Sequence, residues 1–479
     1  MRYIIFVFFI SFSFTSQAQD QLWTLQRCIQ HAFNNNLTIK QSELTKQIYD
    51  NNYTESKLSL LPTVSADASQ NFSFGNSVDP TTFEFVKVNT NSNSFGLTAS
   101  VPLFTGLQQI NGIRKSKTEM EAAQQDVLNV KDQIVLSVTT YFLNVLLNKA
   151  ILTSANKQIE TTSEQYKNTQ KLIDAGALPQ GDLLDIEAQL ASDELRITQA
   201  ENNLTLAKLS LQILLQLDLQ NEFEVIAPAI DDPNPDVPVI YDPQNIYYEA
   251  VTKRPEIKAE ELRLKSAQIS EQIARGALYP TLSLSTSIRT NYFSEGIEQV
   301  GSDSLLIPPL QIGYLESDAT EGVLSLPQTE FFPIIQDKGF GDQLKDNRSE
   351  SVGISLSVPI FGGWSRMTNV QNAKLSTQIS KYSLMDSKNA LREEINQAYT
   401  NAVAAAKTFA SAKKSYVALE KSFEYAEEKY KLGSLNSLDY LTVKNRLAIT
   451  ESDLLTAKYD YIFKLKILDF YAGNPITLD

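Results

Sequence analysis

The chain has 479 residues, with 42 Lys and Arg against 56 Asp and Glu, a formal net charge of −14. That acidic balance, without a basic run, argues against nucleic acid as a partner, and one Cys with one His leaves no donors for an intrachain disulfide, a Cys-based zinc site or a multi-His metal centre. Mean hydropathy is −0.21, and beyond residue 18 no apolar run approaches the ~20 residues of a membrane helix.

Residues 1–18 read as an export signal. Arg2 supplies the positive start, Ile4 to Ile10 an apolar stretch continued by Phe12 and Phe14, and Ser16-Gln17-Ala18 the small residues of a cleavage site. Gln19 then becomes the first residue, and no Cys follows it to carry a lipid anchor. The expected destination is a Gram-negative envelope.

The remainder compares with itself. At an offset of 218, Ala32 meets Ala250, Ile39 meets Ile257 and Pro62-Thr63 meets Pro280-Thr281. At an offset of 257, Gly96 meets Gly353, Ser100-Val101-Pro102 meets Ser357-Val358-Pro359, and Gly176, Leu178 and Asp182 meet Gly433, Leu435 and Asp439. Two repeats, 19–226 and 244–479, are therefore expected, joined by a Pro-rich linker over 227–243 that carries Pro228, Pro233, Pro235, Pro238 and Pro243. The difference of 39 between the offsets is an insertion in the second repeat, placed in a Ser-, Gly-, Pro- and Asp-rich loop at 293–350.

The first repeat opens with a helix from near Thr24 to Leu60, ended by Pro62. A strand follows in which Val64, Ala66 and Ala68 alternate with Ser65, Asp67 and Ser69, and then one in which Phe95, Leu97, Ala99, Val101 and Leu103 alternate with Ser94, Gly96, Thr98, Ser100 and Pro102. A helical pattern runs from Gly106 to Asp174, turns at Gly176, and returns with Leu183, Leu190, Ile197, Leu204 and Leu211 seven apart. The second repeat follows the same order. Its first helix spans Gln244 to Leu278, and Leu282, Leu284 and Ile288 alternate with serines. Val352, Ile354, Leu356, Val358 and Ile360 form the next strand, and Gly363 to Lys431 a long helix. After Gly433 the heptad stripe is Tyr440, Leu447, Leu454, Tyr461 and Leu468. An ordinary hairpin core would show the same stripe, but seventy helical residues reach about 105 Å, more than a globular domain needs.

Strands of about 10 to 12 residues with one apolar and one Ser/Thr/Gly face suit a tilted membrane crossing. Four cannot close a barrel, and an open edge is not tolerated in lipid, so other copies must complete the sheet. Two copies give eight strands with little lumen; three give twelve. Phe104, Phe361, Trp364 and Tyr279 lie at the strand ends next to the helices, and Phe72, Phe74, Tyr292 and Phe293 at the opposite ends, as two interfacial girdles. The expected class is an α+β membrane protein.

On this plan, on Pro62 and Pro280, on the paired segments Val101-Pro102-Leu103-Phe104 and Val358-Pro359-Ile360-Phe361, and on the turns at Gly176 and Gly433, the chain resembles the outer membrane efflux protein family of TolC-like channels. The resemblance covers essentially the whole chain after residue 18. It implies a homotrimer, with a twelve-stranded transmembrane β-barrel in the outer membrane and long coiled-coil hairpins forming a periplasmic α-barrel. It implies the exit duct of a tripartite efflux pump or type I secretion system, partnered by a periplasmic adaptor and, through it, an inner-membrane transporter. No cofactor, metal or catalytic residue is expected. The insertion becomes an extracellular loop.

The hairpin tips are the candidate working parts. Asp182 and Asp439 fall in the first turn of each returning helix, where a carboxylate offsets the helix dipole. In a trimer they also form acidic rings at the periplasmic mouth. The family carries an acid at the position of Asp439 and another one turn later, where this chain has Thr442; Asp185, one turn after Asp182, stands as a partial substitute. Gly176, Leu178, Gly433 and Leu435 resemble the residues that meet the adaptor. The rival readings are an envelope-spanning tether without conductance, and an outer-membrane enzyme, for which His31 would be the only imidazole base.

Overall fold

The computed structural model describes residues 22–78, 85–221, 223–226, 241–294, 296–315, 317–474 and 476. The export signal and most of the linker, 227–240, lie outside the described residues. The elements in chain order are β1 (Leu22–Trp23), α1 (Leu25–Asn35), α2 (Leu37–Leu58), β2 (Thr63–Val78), β3 (Phe85–Thr105), α3 (Gln108–Asp174), α4 (Gln180–Leu215), β4 (Glu224–Val225), α5 (Pro243–Lys253) and α6 (Pro255–Gly276). They continue as β5 (Thr281–Phe293), β6 (Ile297–Ile307), β7 (Gln311–Leu315), β8 (Asp318–Leu324), β9 (Gln328–Asp337), α7 (Phe340–Asp346), β10 (Ser349–Ser357), α8 (Ser365–Lys431) and α9 (Ser437–Tyr471). Helices α3 and α8 are 67 residues each.

The chain divides into two compact units. One comprises 1–53, 115–268 and 374–479 and is helical apart from the short β1–β4 pair. Its largest core joins Leu25, Cys28 and Ala32 of α1 with Val138, Phe142 and Leu146 of α3 and Leu211 and Leu215 of α4. One stretch of α3 is apolar enough, by length and composition, to cross a membrane, although only 33% of it is buried within the chain. A second core packs Ile246 and Ala250 of α5 and Ile257 of α6 on Leu391, Ile395 and Ala402 of α8.

Three helix expectations are corrected here. The single helix expected from Thr24 to Leu60 breaks at Asn36, whose backbone is extended and whose Oδ1 accepts from the amides of Thr38 and Ile39 to start α2. The helix expected from Gln244 to Leu278 breaks at Arg254, because Pro255 disfavours a helical residue before it. The heptad leucines of α4 are mostly half-buried. The deepest stripe is Ile186, Asp193, Ala200 and Ala207, three residues on, because small alanines let neighbouring helices approach and leave the leucines flanking the seam.

The other unit, 54–114 with 269–373, is built on an antiparallel sheet in the order β10-β5-β3-β2. Its register aligns Val64, Ala99, Thr286 and Val352 in one cross-strand row and Ser65, Thr98, Ser287 and Ser351 in the next. Side chains alternate between faces, so one face carries Val64, Ala66, Leu97, Val101, Leu284, Ile288, Ile354 and Leu356, and the other is almost wholly Ser, Thr and Gly. Hydroxyls meet across the polar face, as at Ser287 and Ser351, 2.8 Å apart. The strands β2 and β3 run to 16 and 21 residues, longer than expected, while β10 stops at Ser357 because Pro359 has no N–H to continue the ladder.

The segment 293–350, expected as a loop, is largely ordered. Strands β6 and β9 pair antiparallel from Ile297↔Asp337 to Ile307↔Gln328, and β7 pairs with β8 beyond them. Helix α7 clamps the root of this hairpin to β5. Gln343 accepts from the Phe293 amide at 3.0 Å and donates to the carbonyls of Phe293 and Lys338, and Phe340 packs on Tyr292. The polar composition that suggested a loop belongs to strands that are exposed along nearly their whole length.

Candidate functional site: the helix-hairpin tips

Both tips are built by the same backbone device. After α3, Gly176 takes φ +73°, its amide donates to Ile173 O and the Ala177 amide to Leu172 O. After α8, Gly433 takes φ +73°, its amide donates to Tyr430 O and that of Ser434 to Lys429 O. These are left-handed caps that satisfy the last carbonyls of each helix, and glycine adopts that conformation without a Cβ penalty.

The returning helices start differently. Pro179 precedes α4 without a side-chain cap, and Asp182 is the acid of its first turn. Asn436 caps α9: its Oδ1 accepts from the Asp439 amide at 2.8 Å, and its Nδ2 donates to Asp439 Oδ2 at 2.9 Å. Asp185 accepts at 2.8 Å from the hydroxyl of Ser437, which is buried. Among the described residues no donor reaches the Asp182 carboxylate. The three sequence-derived acids thus sit at one end of the helical unit with different duties. Asp439 is engaged in its own cap, Asp185 in a tie to α9, and Asp182 is half-buried without a side-chain partner among the described residues.

Leu178 and Leu435 are not the exposed apolar residues of the tips. Both are half-buried, and Leu435 packs against the cluster of Ala426, Tyr440 and Leu441. The large apolar side chains left in water at the second tip are Leu432, 83% exposed, and Leu438, 67% exposed. Each is separated from Leu435 by three residues, a spacing that could have flagged them once the helix boundary was known.

Tyr292, Phe293 and Phe104 lie at their strand ends and Tyr279, Phe361 and Trp364 just outside strands, whereas Phe72 and Phe74, expected at a strand end, lie inside the longer β2. Phe72, Phe74, Tyr279, Phe104, Phe361 and Trp364 are exposed. Tyr292 and Phe293 are half-buried under α7. His31, the only imidazole, is half-buried with its ring edge-on to Trp23 at 5.1 Å, and burial lowers its basicity.

Sequence reasoning missed the polar seam behind the tips. Gln189 and Asn445 exchange side-chain amide hydrogen bonds at 2.8 and 3.1 Å, joining α4 to α9. Lys444 and Asp193 are each 1% exposed. Nothing in a single sequence distinguishes a lysine buried by three helices from one on a solvated face.

A family model described as outer membrane efflux protein matches residues 28–215 and 246–474. The outer membrane efflux protein BepC of Brucella suis biovar 1 (strain 1330) is 19% identical over 439 residues, which cover 92% of this chain and 83% of BepC. Among solved structures, CusC, described for transmembrane channel formation, superposes with a TM-score of 0.72 at 18% identity, covering 94% of this chain and 92% of its own. The CmeC outer membrane channel of Campylobacter jejuni gives 0.70 at 18% identity, covering 94% of this chain and 85% of its own.

Proposed function

The chain belongs to the outer membrane efflux protein family, and on that premise we propose that it is the outer-membrane exit duct of a tripartite efflux pump or type I secretion system. Its place is the outer membrane, with a large periplasmic portion. The two-faced sheet carries this reading. Its apolar face has exposed Val64, Val352, Ile354 and Leu356, and among the described residues its end strands β2 and β10 each pair on one side only. In lipid those edges must be paired, and further copies of the chain supply the strands. Three copies give a twelve-stranded barrel with Ser/Thr/Gly facing the lumen.

In this assembly the paired 67-residue helices and their returning partners, as two structural repeats, line a periplasmic α-barrel. The domain plan is an export signal over 1–18, repeats over 19–226 and 244–479, the linker 227–243, and an extracellular segment at 293–350. Asp182, Asp185 and Asp439 ring the periplasmic mouth, an arrangement that favours cations at the gate. Gly176, Leu178, Gly433 and Leu435 shape the tips that meet a periplasmic adaptor, coupled to an inner-membrane transporter, and the exposed Leu432 and Leu438 add apolar contact area there. The eight aromatics mark the two lipid interfaces. Such a duct does no bond chemistry; we assign it no catalytic residue and no cofactor.

Native mass and single-channel current in planar bilayers test the reading. A trimer passing small, cation-selective current that rises or loses selectivity in an Asp182→Ala/Asp439→Ala variant is the expected result. An intact trimer without current in either form would instead indicate a tether.

A further inference from the structure

The hairpin of β6 and β9 stands on the sheet as an arm with a fixed root. Gln343, buried there, bonds both Phe293 and Lys338, Thr290 Oγ1 donates to Leu344 O at 2.6 Å, and Lys338 pairs with Glu298 and Asp346. Beyond the root the two strands pair only with each other among the described residues. A two-stranded hairpin is marginal in water by itself, and this one keeps large apolar side chains outside. The neighbours Phe331 and Phe332 are 69% and 45% exposed, and successive strand residues point to opposite faces, so both faces are apolar.

The two faces differ in their polar groups. Past the register shift between Gln299 and Gly301, the pairing puts Asp303 beside Phe332 and Leu305 beside Glu330 on one face. It puts Ser304 beside Phe331 and Leu306 beside Thr329 on the other. The first face is apolar and acidic, the second apolar and hydroxyl-bearing, and 297–337 holds seven acids with no Lys or Arg. Two copies meeting by their first faces would set carboxylates against carboxylates. The first face of one copy against the second of another sets Asp303 and Glu330 against Ser304 and Thr329, whose hydroxyls can donate to them, and removes apolar surface of both from water. A lipid surface would cover one face and leave the other wet. A ring in which each copy has a neighbour on either side covers both. Unlike-face contacts either close a ring or run on as a filament, and three chains sharing one barrel close it. Pro333 in β9 offers no N–H to a further strand at that position, which favours meeting by faces over meeting by edges.

We propose, resting on the duct reading above, that the β6–β9 hairpins of three copies pack face to unlike face as a collar at the outer end of the barrel, and that the collar narrows the exit. The occupant of each apolar face is a second copy of this chain. The insertion that distinguishes the second repeat from the first is then the part that builds the collar.

Two measurements on the full mature trimer test it, the first without current. Phe331→Cys and Phe332→Cys, made separately, put a thiol on each face, and the native Cys28 is buried in the helical unit. Read by mass at the labelled site, both should react with maleimide about tenfold or more slowly in the trimer than in the denatured chain. Free reaction at both sites in an intact trimer overturns the proposal, and so does protection of one face alone, which would indicate a covering layer of another kind.

The second measurement is single-channel current. Ser304→Glu sets a further acid against Asp303 and Glu330 of the neighbouring copy and should raise conductance roughly twofold at low salt. Ser304→Glu/Glu330→Lys places opposite charges across the seam and should return conductance to the wild-type level. Within one copy these two side chains lie on opposite faces, so the rescue requires contact between copies. Replacing 297–337 by Gly-Gly, which the paired ends Ile297 and Asp337 allow, should leave the trimer intact and raise conductance at least as far. Conductance unmoved by Ser304→Glu and by the replacement, or no rescue by Glu330→Lys, overturns the collar while the duct stands. Absence of current from every form, with both thiols protected, removes the duct reading and with it the narrowed exit, while the contact between copies stands.

Discussion

The Ser437 hydroxyl lies 2.8 Å from Asp185 Oδ2 and joins the first turn of α9 to the second turn of α4. This tie separates three acids that look alike in the sequence. With Asp185 bound to Ser437 and Asp439 bound to Asn436, Asp182 is the carboxylate best placed to act on passing ions. Asp182→Asn should lower the cation-to-anion permeability ratio roughly two- to threefold, read from reversal potentials in a salt gradient, with thermal stability unchanged. Asp185→Ala should instead loosen the tip, by about 1–2 kcal/mol, because it leaves the buried Ser437 hydroxyl without its partner. Equal effects of both substitutions on selectivity would remove the distinction.

The tip glycines predict a conformational penalty without a steric one. A Cβ added to Gly176 or Gly433 meets no atom within 4 Å, yet both sit at φ +73°. Gly433→Ala should therefore destabilise the tip by about 1–2 kcal/mol, and Gly433→Asn by less, since Asn tolerates the left-handed region. Hydrogen exchange of the Ser434 and Leu435 amides is the direct measure. Equal protection in wild type and Gly433→Ala would show that the turn has another way to close.

The sheet offers a test of facing by two adjacent residues. Val352 pairs with Thr286 in an apolar row, and Ser351 pairs with Ser287 in a hydroxyl row. Val352→Arg should block assembly, since an arginine facing lipid costs about 2–4 kcal/mol near the midplane. Ser351→Arg should assemble and reduce conductance. Trimer yield on gels and single-channel current separate the outcomes, and the reverse pattern would mean that the faces are assigned the wrong way round.

The period-two alternation of Phe95 to Leu103 and the helix before Pro62 were legible because each is a local signal, set by side-chain direction and by a missing N–H. The break at Arg254 was legible too, in the Arg254-Pro255 step, because the residue before a proline avoids the helical region. The ladder of β6 with β9 was not legible: both strands face water on much of their surface, so Ser, Gly and Asp there carry no inward-outward pattern. At the tips, Leu178 and Leu435 drew notice by their place in the turn, but the cluster around Tyr440 draws Leu435 in and leaves Leu432 and Leu438 outside. Lys444 shows the limit most plainly. Its partners Thr162 and Asp193 lie 282 and 251 positions away in the chain, and no local pattern announces their meeting.

Cys28 supplies an internal probe of the helical unit. It is fully buried in the core with Leu25, Phe142 and Leu211, and burial pushes its thiol up to about 12, with Arg27 opposing. An exposed thiol's ordinary value is 9.0, so at pH 8 the thiolate fraction falls about a thousandfold below that of an exposed cysteine, before access is considered. Maleimide should therefore leave the folded protein unlabelled and react in step with denaturant unfolding of the helical unit. Phe142→Ala, which opens a cavity beside the thiol and should destabilise that core by about 3–5 kcal/mol, should bring labelling forward to lower denaturant. Rapid labelling of the native protein would mean that the α1–α3–α4 core opens locally, and that the long helices are anchored less firmly at Cys28 than their packing indicates.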